Sequence, residues 1–175
     1  MLNEFRQDLV SGDWVLFVAG RAKGHIKKEE KFHQSKKDCP FEGLEASGNE
    51  EPVMIFNKGI RSDIEGYRAG NWTTIVVPNK NPAVMPGICP PPAKKGPFQK
   101  MAAAGFHELV ITKDHDRNIC CFTPEETKEL LTVYRDRYRE IAKDECGQYI
   151  LIFHNRGPIA GATIYHNHSQ ILSTP

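Results

Sequence analysis

The sequence has 175 residues, 39% hydrophobic and 26% charged, a balance typical of one folded domain and not of a disordered chain. Its 23 basic and 22 acidic residues leave a formal net charge of +1, which argues against a protein that coats nucleic acid. No apolar run approaches the roughly 20 residues that cross a bilayer, and the first residues lack the apolar segment of a signal peptide. We therefore expect a cytoplasmic protein with no nucleic-acid or membrane partner.

Five cysteines, an odd number, are scattered along the chain. Without an export signal, a disulfide framework is not expected, because such frameworks belong to oxidising compartments. The sequence therefore predicts reduced thiols, buried or metal-bound, at Cys39, Cys89, Cys120, Cys121 and Cys146.

Short apolar segments separated by turn residues predict a series of strands. They cover residues 14–19, 53–56, 73–77, 106–112, 149–153 and 163–172. Between the third and fourth segments, residues 82–97 are so rich in proline and glycine that we expect a long surface loop without a regular element.

One helix is predicted after the fourth strand. Thr123 is a good N-cap, Pro124 fits the first helical position, and Glu126 completes a capping box. Gly147 is expected to end the helix, whose predicted buried face comprises Leu130, Tyr134, Tyr138 and Ile141. Several strands and one late amphipathic helix predict an α+β domain built on an antiparallel sheet.

Residues 155–170, NRGPIAGATIYHNHSQ, carry the clearest chemical pattern. Gly157, Pro158 and Gly161 predict a tight loop whose backbone N–H groups converge on an anion. In the strand that follows, alternation places on one face His166, His168 and Gln170, and on the other face Asn167 and Ser169. Three polar side chains on one face are costly to bury unless they serve a site. The alternative is a pair of histidines on an exposed strand face with no function.

The motif His-x-His-x-Gln at 166–170 resembles the galactose-1-phosphate uridylyltransferase family of the histidine-triad superfamily. Further segments match that family in order and spacing: 6–16, 21–23, 39–41, 79–83, 105–108 and His115. The resemblance implies a histidine-triad-like antiparallel sheet with one main amphipathic helix, in a single domain over residues 1–175. This domain matches only the first half of the family's two-half architecture. We therefore expect a fragment, a truncated product, or a short form that completes its site by forming a homodimer.

The resemblance implies that the catalytic residues are His168 and Gln170. A neutral imidazole attacks an α-phosphorus and holds the nucleotidyl group covalently. The Gln170 amide donates hydrogen bonds to a phosphate oxygen but cannot titrate near neutral pH. A residue that cannot act as general acid or base favours a sugar phosphate over water as the acceptor.

Substrate contacts are implied for Arg21, Asn79, Asn81, Asn155, Gly161, Thr163 and Gln170. The phosphates are assigned to Arg21, Asn155 and Thr163, and the ribose or base to Asn79 and Asn81. Arg21 has the alternative of a surface arginine. The pattern Asn-x-Asn-Pro is equally good turn chemistry, which is the alternative for Asn79 and Asn81.

The family's structural zinc site corresponds here to Cys39, Glu42, His115 and His166. Glu42 stands where the family has a second cysteine, and a carboxylate is an acceptable zinc ligand. A mixed donor set of this kind also suits iron. In the alternative, Cys39 is a buried thiol and His115 a loop histidine.

The resemblance therefore predicts an enzyme of galactose metabolism that moves UMP between a UDP-hexose and a hexose 1-phosphate. One alternative is a sister activity on an adenine-nucleotide sugar with phosphate as acceptor, since residues 79–83 do not identify the base. Another is a half-domain that binds nucleotide without turnover. A hydrolase is disfavoured by Gln170.

Overall fold

The computed structural model describes residues 3–19, 33–89 and 91–175. The strands are β1 (Glu4–Gln7), β2 (Trp14–Phe17), β3 (Met54–Asn57), β4 (Ile60–Arg61), β5 (Thr74–Pro78), β6 (Ala93–Lys95), β7 (Phe98–Ala102), β8 (His107–Thr112), β9 (Tyr149–Phe153) and β10 (His168–Thr174). The helices are α1 (Ile64–Arg68) and α2 (Pro124–Ile141). The predicted α+β class, with one main helix, is confirmed.

All pairings between these strands are antiparallel, and they form two sheets. The larger sheet has six strands in the order β4-β3-β5-β8-β10-β9, and the smaller has the order β2-β1-β7-β6. The central strands β5 and β8 are buried along nearly their whole length, because both faces of the larger sheet are covered.

Different segments pack on the two faces of the larger sheet. One face packs under α2, where Val110 and Ile171 meet Leu130 and Val133. The other face packs under the segment 39–44, which contributes Cys39, Phe41 and Leu44 to the second core cluster. The candidate site lies on this second face, because β10 pairs His168 with Ile111 and Gln170 with Leu109.

The start of α2 is confirmed, with Thr123 and Glu126 forming the predicted capping box. The helix ends at Ile141 and not at Gly147. Tyr138 is 46% exposed, so its predicted burial is wrong, and Val133 is buried instead. Arg137 takes the inward position because it forms a two-point ion pair with Glu108 on β8, at 2.7 and 2.5 Å.

The last strand begins at His168 and not at residue 163, so residues 163–167 are irregular. Pairing with β8 starts at His168 and Ile111. Just before this point, the carbonyl of Thr112 accepts a hydrogen bond from the His166 ring at 2.6 Å. Side chains therefore alternate between the two faces of the sheet from His168 onward, whereas the contact with Thr112 orients the His166 ring.

The loop predicted for residues 82–97 contains one regular element that the sequence did not indicate. Strand β6 pairs with β7 through a two-residue connection of Gly96 and Pro97. Gly96 has φ +61°, a conformation that glycine adopts without strain. The pairing across this turn is what gives residues 93–95 their extended form.

The prediction of reduced thiols is wrong for two cysteines. Cys89 and Cys146, 57 residues apart in sequence, form a disulfide that ties the loop before β6 to the segment after α2. The other three cysteines are free thiols, and of these Cys39 is buried while Cys120 and Cys121 are exposed. The spacing of the cysteines carries no information about this pairing, which depends on the tertiary contact.

Candidate active site

His168, the first residue of β10, has the geometry of a nitrogen nucleophile. Its Nδ1 lies 2.8 Å from the carbonyl oxygen of His166. The carbonyl can only accept, so Nδ1 carries the proton and Nε2 keeps its lone pair. Burial, helped by the positive charge of Arg156, lowers the pKa of His168. The imidazole is therefore neutral at neutral pH, which is the form that attacks an electrophile.

Gln170 follows His168 on the same face of β10. Its Oε1 lies 2.9 Å from Nε2 of His107, a buried histidine of β8. The Nδ2 of Asn79 lies 3.1 Å from the same ring nitrogen. The structure therefore places the predicted residue Asn79 beside Gln170.

Asn79 also adopts the turn chemistry that was its alternative interpretation. Its Oδ1 accepts the backbone N–H of Asn81 at 2.9 Å. The exposed residue Asn81 is thereby held at the same corner of the site. The two interpretations of this motif are compatible, since the turn is what brings Asn79 to His107.

The glycine loop before β10 has two residues with positive φ, Gly157 at +81° and Gly161 at +77°. The N–H groups of Ala160, Gly161 and Ala162 donate within the loop. The N–H groups that these turns do not use are therefore those of Gly157, Ile159 and Thr163. The predicted convergence of loop N–H groups on an anion is limited to this smaller set.

Of the predicted phosphate contacts, Asn155 is half-buried at the start of this loop and Thr163 is exposed near its end. Arg21 lies outside the described residues. Sequence reasoning missed Arg156, whose guanidinium donates to the carbonyl of Tyr165 and stacks 4.5 Å from the Tyr165 ring centroid. The sequence feature that could have indicated Arg156 is its position in the loop motif, between Asn155 and Gly157.

Four predicted metal ligands come together beneath the loop. Ligand atoms of Cys39, His115 and His166 all lie within 4.8 Å of one another, and the three residues are buried. Glu42 Oε1 lies 3.2 Å from His115 Nδ1 and 3.5 Å from His166 Nδ1. The Cys39 sulfur is 3.5 Å from His166 Nδ1. One thiol, one carboxylate and two imidazoles form a donor set suited to zinc.

Backbone carbonyls orient both imidazoles of this cluster. Nε2 of His115 donates to the carbonyl of Gln34 at 2.8 Å, as Nε2 of His166 does to that of Thr112. Both Nδ1 atoms therefore present lone pairs to the centre of the cluster. The Nδ1 of His115 is buried and has no hydrogen-bond partner among the described residues. A buried acceptor without a hydrogen-bond partner, aimed at a thiol and a carboxylate, is suited to coordinate a cation, so these residues fit the implied metal.

Protonation of the free cluster is set by its burial. Burial raises the pKa of the Cys39 thiol and lowers the pKa of the His166 imidazole. Both groups are therefore neutral at neutral pH when no ion is bound. Binding a divalent cation would release the thiol proton, as metal sites with cysteine do.

A second polar network lies behind β10, on its α2 face. Ser169 Oγ lies 2.5 Å from the hydroxyl of Tyr134 and 3.0 Å from Nδ1 of His154. Ser169 thus faces away from His168, as predicted. Burial, with the charge of Arg156, lowers the pKa of His154. Sequence reasoning missed His154, since nothing in its local pattern marks it.

Alternation placed Asn167 on the strand face opposite His166 and His168. It is buried, and its Nδ2 donates to the Thr112 hydroxyl at 3.2 Å. Asn167 therefore fastens the residue before β10 to the end of β8.

The described helices include none long and apolar enough to cross a membrane.

A family model described as "Domain of unknown function (DUF4931) N-terminal domain" matches residues 95–174. Over 98% of its length the chain is 28% identical to the ADP-glucose phosphorylase of Arabidopsis thaliana, covering 48% of that protein. It is 27% identical, again over 98%, to the galactose-1-phosphate uridylyltransferase of Thermotoga maritima, covering 46%. The chain therefore spans about half the length of the curated relatives it matches.

A crystal structure of the Arabidopsis thaliana ADP-glucose phosphorylase with bound ADP-glucose is similar to this chain. The TM-score is 0.59 at 26% sequence identity, over 99% of this chain and 49% of that one. Together, these similarities confirm the resemblance of this chain to the N-terminal half of the galactose-1-phosphate uridylyltransferase family.

Proposed function

We propose that this chain carries the nucleotidyl-transfer site of an enzyme that moves UMP between a UDP-hexose and hexose 1-phosphate. The observation that carries the proposal is His168, a neutral imidazole with Nδ1 bonded to a carbonyl and Nε2 left as nucleophile. Similarity to two nucleotide-sugar enzymes over nearly the whole chain supports the same reaction class.

In the first step, Nε2 of His168 attacks the α-phosphorus of UDP-glucose. A phosphorus–nitrogen bond forms, and the bond from that phosphorus to the bridging oxygen of glucose 1-phosphate breaks. In the second step, a phosphate oxygen of galactose 1-phosphate attacks the same phosphorus, and the phosphorus–nitrogen bond breaks. The His166 carbonyl holds the Nδ1 proton throughout and stabilises the positive charge that the ring carries in the adduct.

The remaining site residues bind and orient the substrate in this proposal. Gln170 donates hydrogen bonds to an oxygen of the transferred phosphate, where charge increases in the transition state. Contacts to the phosphates come from Arg21, Asn155, Gly161 and Thr163, and contacts to the nucleoside from Asn79 and Asn81. Because Gln170 does not titrate near neutral pH, no group at its position activates water, which favours transfer over hydrolysis.

The proposal assigns a zinc or iron ion to Cys39, Glu42, His115 and His166. When bound, the ion supplies a structural crosslink between the 39–42 segment and the residue two before His168. His166 then serves the site twice, since its ring is a ligand and its carbonyl orients His168. The buried part of this ligand set is Cys39, His115 and His166, and the Glu42 carboxylate approaches both imidazoles.

A second candidate reaction uses an adenine-nucleotide sugar, with inorganic phosphate as the acceptor. It is favoured by the nearly equal identity of the chain to the plant phosphorylase and to the uridylyltransferase. The same nucleophile serves both reactions, so the choice depends on the base pocket and on the acceptor. A third candidate, nucleotide binding without turnover, is favoured by the match to only half of each relative.

The adduct itself discriminates between the three candidates. The protein is incubated without acceptor with UDP-glucose or with ADP-glucose, and its intact mass is measured at neutral or basic pH because a phosphorus–nitrogen bond to imidazole is acid-labile. A mass increase of one uridylyl group (UMP less water) supports the first reaction, and one of an adenylyl group (AMP less water) supports the second. The absence of both adducts supports binding without turnover. The adduct is expected to vanish in His168→Asn and to survive in Tyr149→Asn, at an exposed residue of β9 that serves as the control. An adduct that persists in His168→Asn contradicts the nucleophile.

We further infer that residues 1–175 act as a single domain that forms a homodimer in the cytoplasm. The smaller sheet supports the dimer, since Val15, Phe17 and Phe98 on it are each at least 45% exposed. Sedimentation velocity at micromolar concentration is expected to give a dimer, and a clean monomer would contradict this inference.

A further inference from the structure

His107 is a buried histidine of β8 that the proposed reaction does not use. It is 5% exposed, and its ring lies between the corner at residues 79–83 and the side chain of Gln170. Both ring nitrogens lie within hydrogen-bond distance of named groups. Its protonation pattern can therefore be worked out from its neighbours.

The backbone of Ala83 fixes the tautomer of His107. The Ala83 N–H points at Nδ1 of His107 at 2.9 Å, and a peptide N–H can only donate. Nδ1 is therefore the acceptor, and the neutral ring carries its proton on Nε2. Asn79 places Nδ2 3.1 Å from that same nitrogen, and its Oδ1 is held by the Asn81 N–H. A neutral imidazole cannot accept at both nitrogens, so with Nδ1 taken by Ala83 the Asn79 amide does not donate to Nε2. Ala83 therefore decides the tautomer.

The tautomer of His107 in turn fixes the Gln170 amide. Nε2–H of His107 lies 2.9 Å from Oε1 of Gln170 and donates to it. A primary amide has one acceptor end and one donor end, so holding the oxygen on His107 turns the NH₂ group away from it. Among the described residues, no acceptor takes the hydrogens of this NH₂ group. His168 lies two residues earlier on the same strand face.

We propose that His107 is a positioning residue that makes Gln170 a hydrogen-bond donor to the transferred phosphate. With the amide reversed, the Gln170 oxygen would face the phosphate oxygens, and two acceptors repel each other. The Ala83 peptide sets the tautomer of His107, and that tautomer sets the orientation of the Gln170 amide. This inference rests on the proposed function of His168 and adds the group that orients its neighbour.

A double-mutant cycle tests whether His107 acts through Gln170. The measured quantity is the rate of adduct formation on His168 from the active nucleotide sugar, for His107→Phe, Gln170→Ala and the double variant. We expect a loss of about 100-fold for Gln170→Ala, as for other transition-state donors, and of about tenfold for His107→Phe. The double variant is expected to be no slower than Gln170→Ala. A further tenfold loss in the double variant would mean that His107 acts through packing, and would overturn the proposal.

A spectroscopic measurement on the unmodified protein keeps the test independent of activity and of the folding of the variants. Long-range proton–nitrogen correlation spectra of the histidine rings report which nitrogen carries the proton. The Nε2–H tautomer of His107 is expected, and the Nδ1–H tautomer would overturn the proposal. If His107 shows the Nε2–H tautomer but no nucleotide sugar forms an adduct, the proposed function fails while the orientation of Gln170 stands. Tyr149→Phe, at an exposed residue of β9, is the control, and it is expected to leave the adduct rate unchanged.

Discussion

Glu42 is the proposed ligand that departs from the family pattern, so removing its carboxylate is the sharpest test of the proposed metal site. The perturbation is Glu42→Gln, which keeps the size of the side chain and removes its charge. Its matched control is Glu45→Gln, an exposed carboxylate three residues further along the same segment. Three buried ligands, Cys39, His115 and His166, remain in both variants.

The expected magnitude follows from binding to the folded state alone. Zinc at 100 times its dissociation constant stabilises the folded protein by about 2.7 kcal/mol. For a chain of this length each 1 kcal/mol moves the Tm by about 2–4 °C, so added zinc should raise the Tm by about 5–11 °C. A tenfold loss of affinity in Glu42→Gln removes about 1.4 kcal/mol of this gain, or about 3–6 °C.

The assay is thermal unfolding of protein stripped with chelator, with and without added zinc or ferrous iron, joined to elemental analysis of protein purified without chelator. Wild type and Glu45→Gln should show the full increase in Tm, Glu42→Gln a reduced increase, and Cys39→Ser almost none. Two results would refute the reasoning. One is an equal increase in Cys39→Ser, which would place the ion elsewhere, and the other is no increase in any variant together with no bound metal.

Three further predictions concern stability and thiol chemistry. Burial lowers the pKa of His154 in the folded state, so the stability from its neutral form is full above the unfolded pKa of about 6.5 and is lost as the pH falls through the folded pKa. The free energy of unfolding in urea should therefore depend less on pH below about 6.5 in His154→Asn than in the control His33→Asn. Glu129 is buried and accepts hydrogen bonds from two threonine hydroxyls and one backbone N–H, so Glu129→Ala should lower the free energy of unfolding by about 2–4 kcal/mol, against less than about 0.5 kcal/mol for the exposed Glu125→Ala. Alkylation followed by mass analysis should label the exposed Cys120 and Cys121 in the native protein and the buried Cys39 only after unfolding. Cys89 and Cys146 should be labelled only after their disulfide is reduced.

Local chemistry was sufficient for several features of this chain. The start of α2 follows from Thr123, Pro124 and Glu126, since a capping box satisfies orphan N–H groups within one turn of helix. The apolar runs at 73–77 and 106–112 likewise predicted strands without reference to any distant residue, and the structure shows them as β5 and β8. Alternation in β10 correctly separated His168 and Gln170 from Ser169, because side chains of a paired strand alternate between faces.

Features that depend on contacts between distant residues were decided only by the tertiary structure. The sequence named Cys39 and His166 through a family resemblance, but 127 residues separate them, and only packing of the 39–44 segment on the sheet brings sulfur and imidazole to 3.5 Å. The disulfide between Cys89 and Cys146 has the same origin, since cysteine spacing does not fix pairing.

The orientation of the site belongs to the same class of long-range effects. His107 stands 63 residues before Gln170, and its tautomer depends on a third segment at Ala83. Arg137 turns inward in place of Tyr138 because Glu108 on a neighbouring strand requires a partner. The sequence by itself determined several of the strands, the start of α2 and which side chains are able to react, because those properties arise within a few residues. Which atoms meet, and in which protonation state, was decided by the tertiary structure, because burial and hydrogen-bond partners come from segments far apart in the chain.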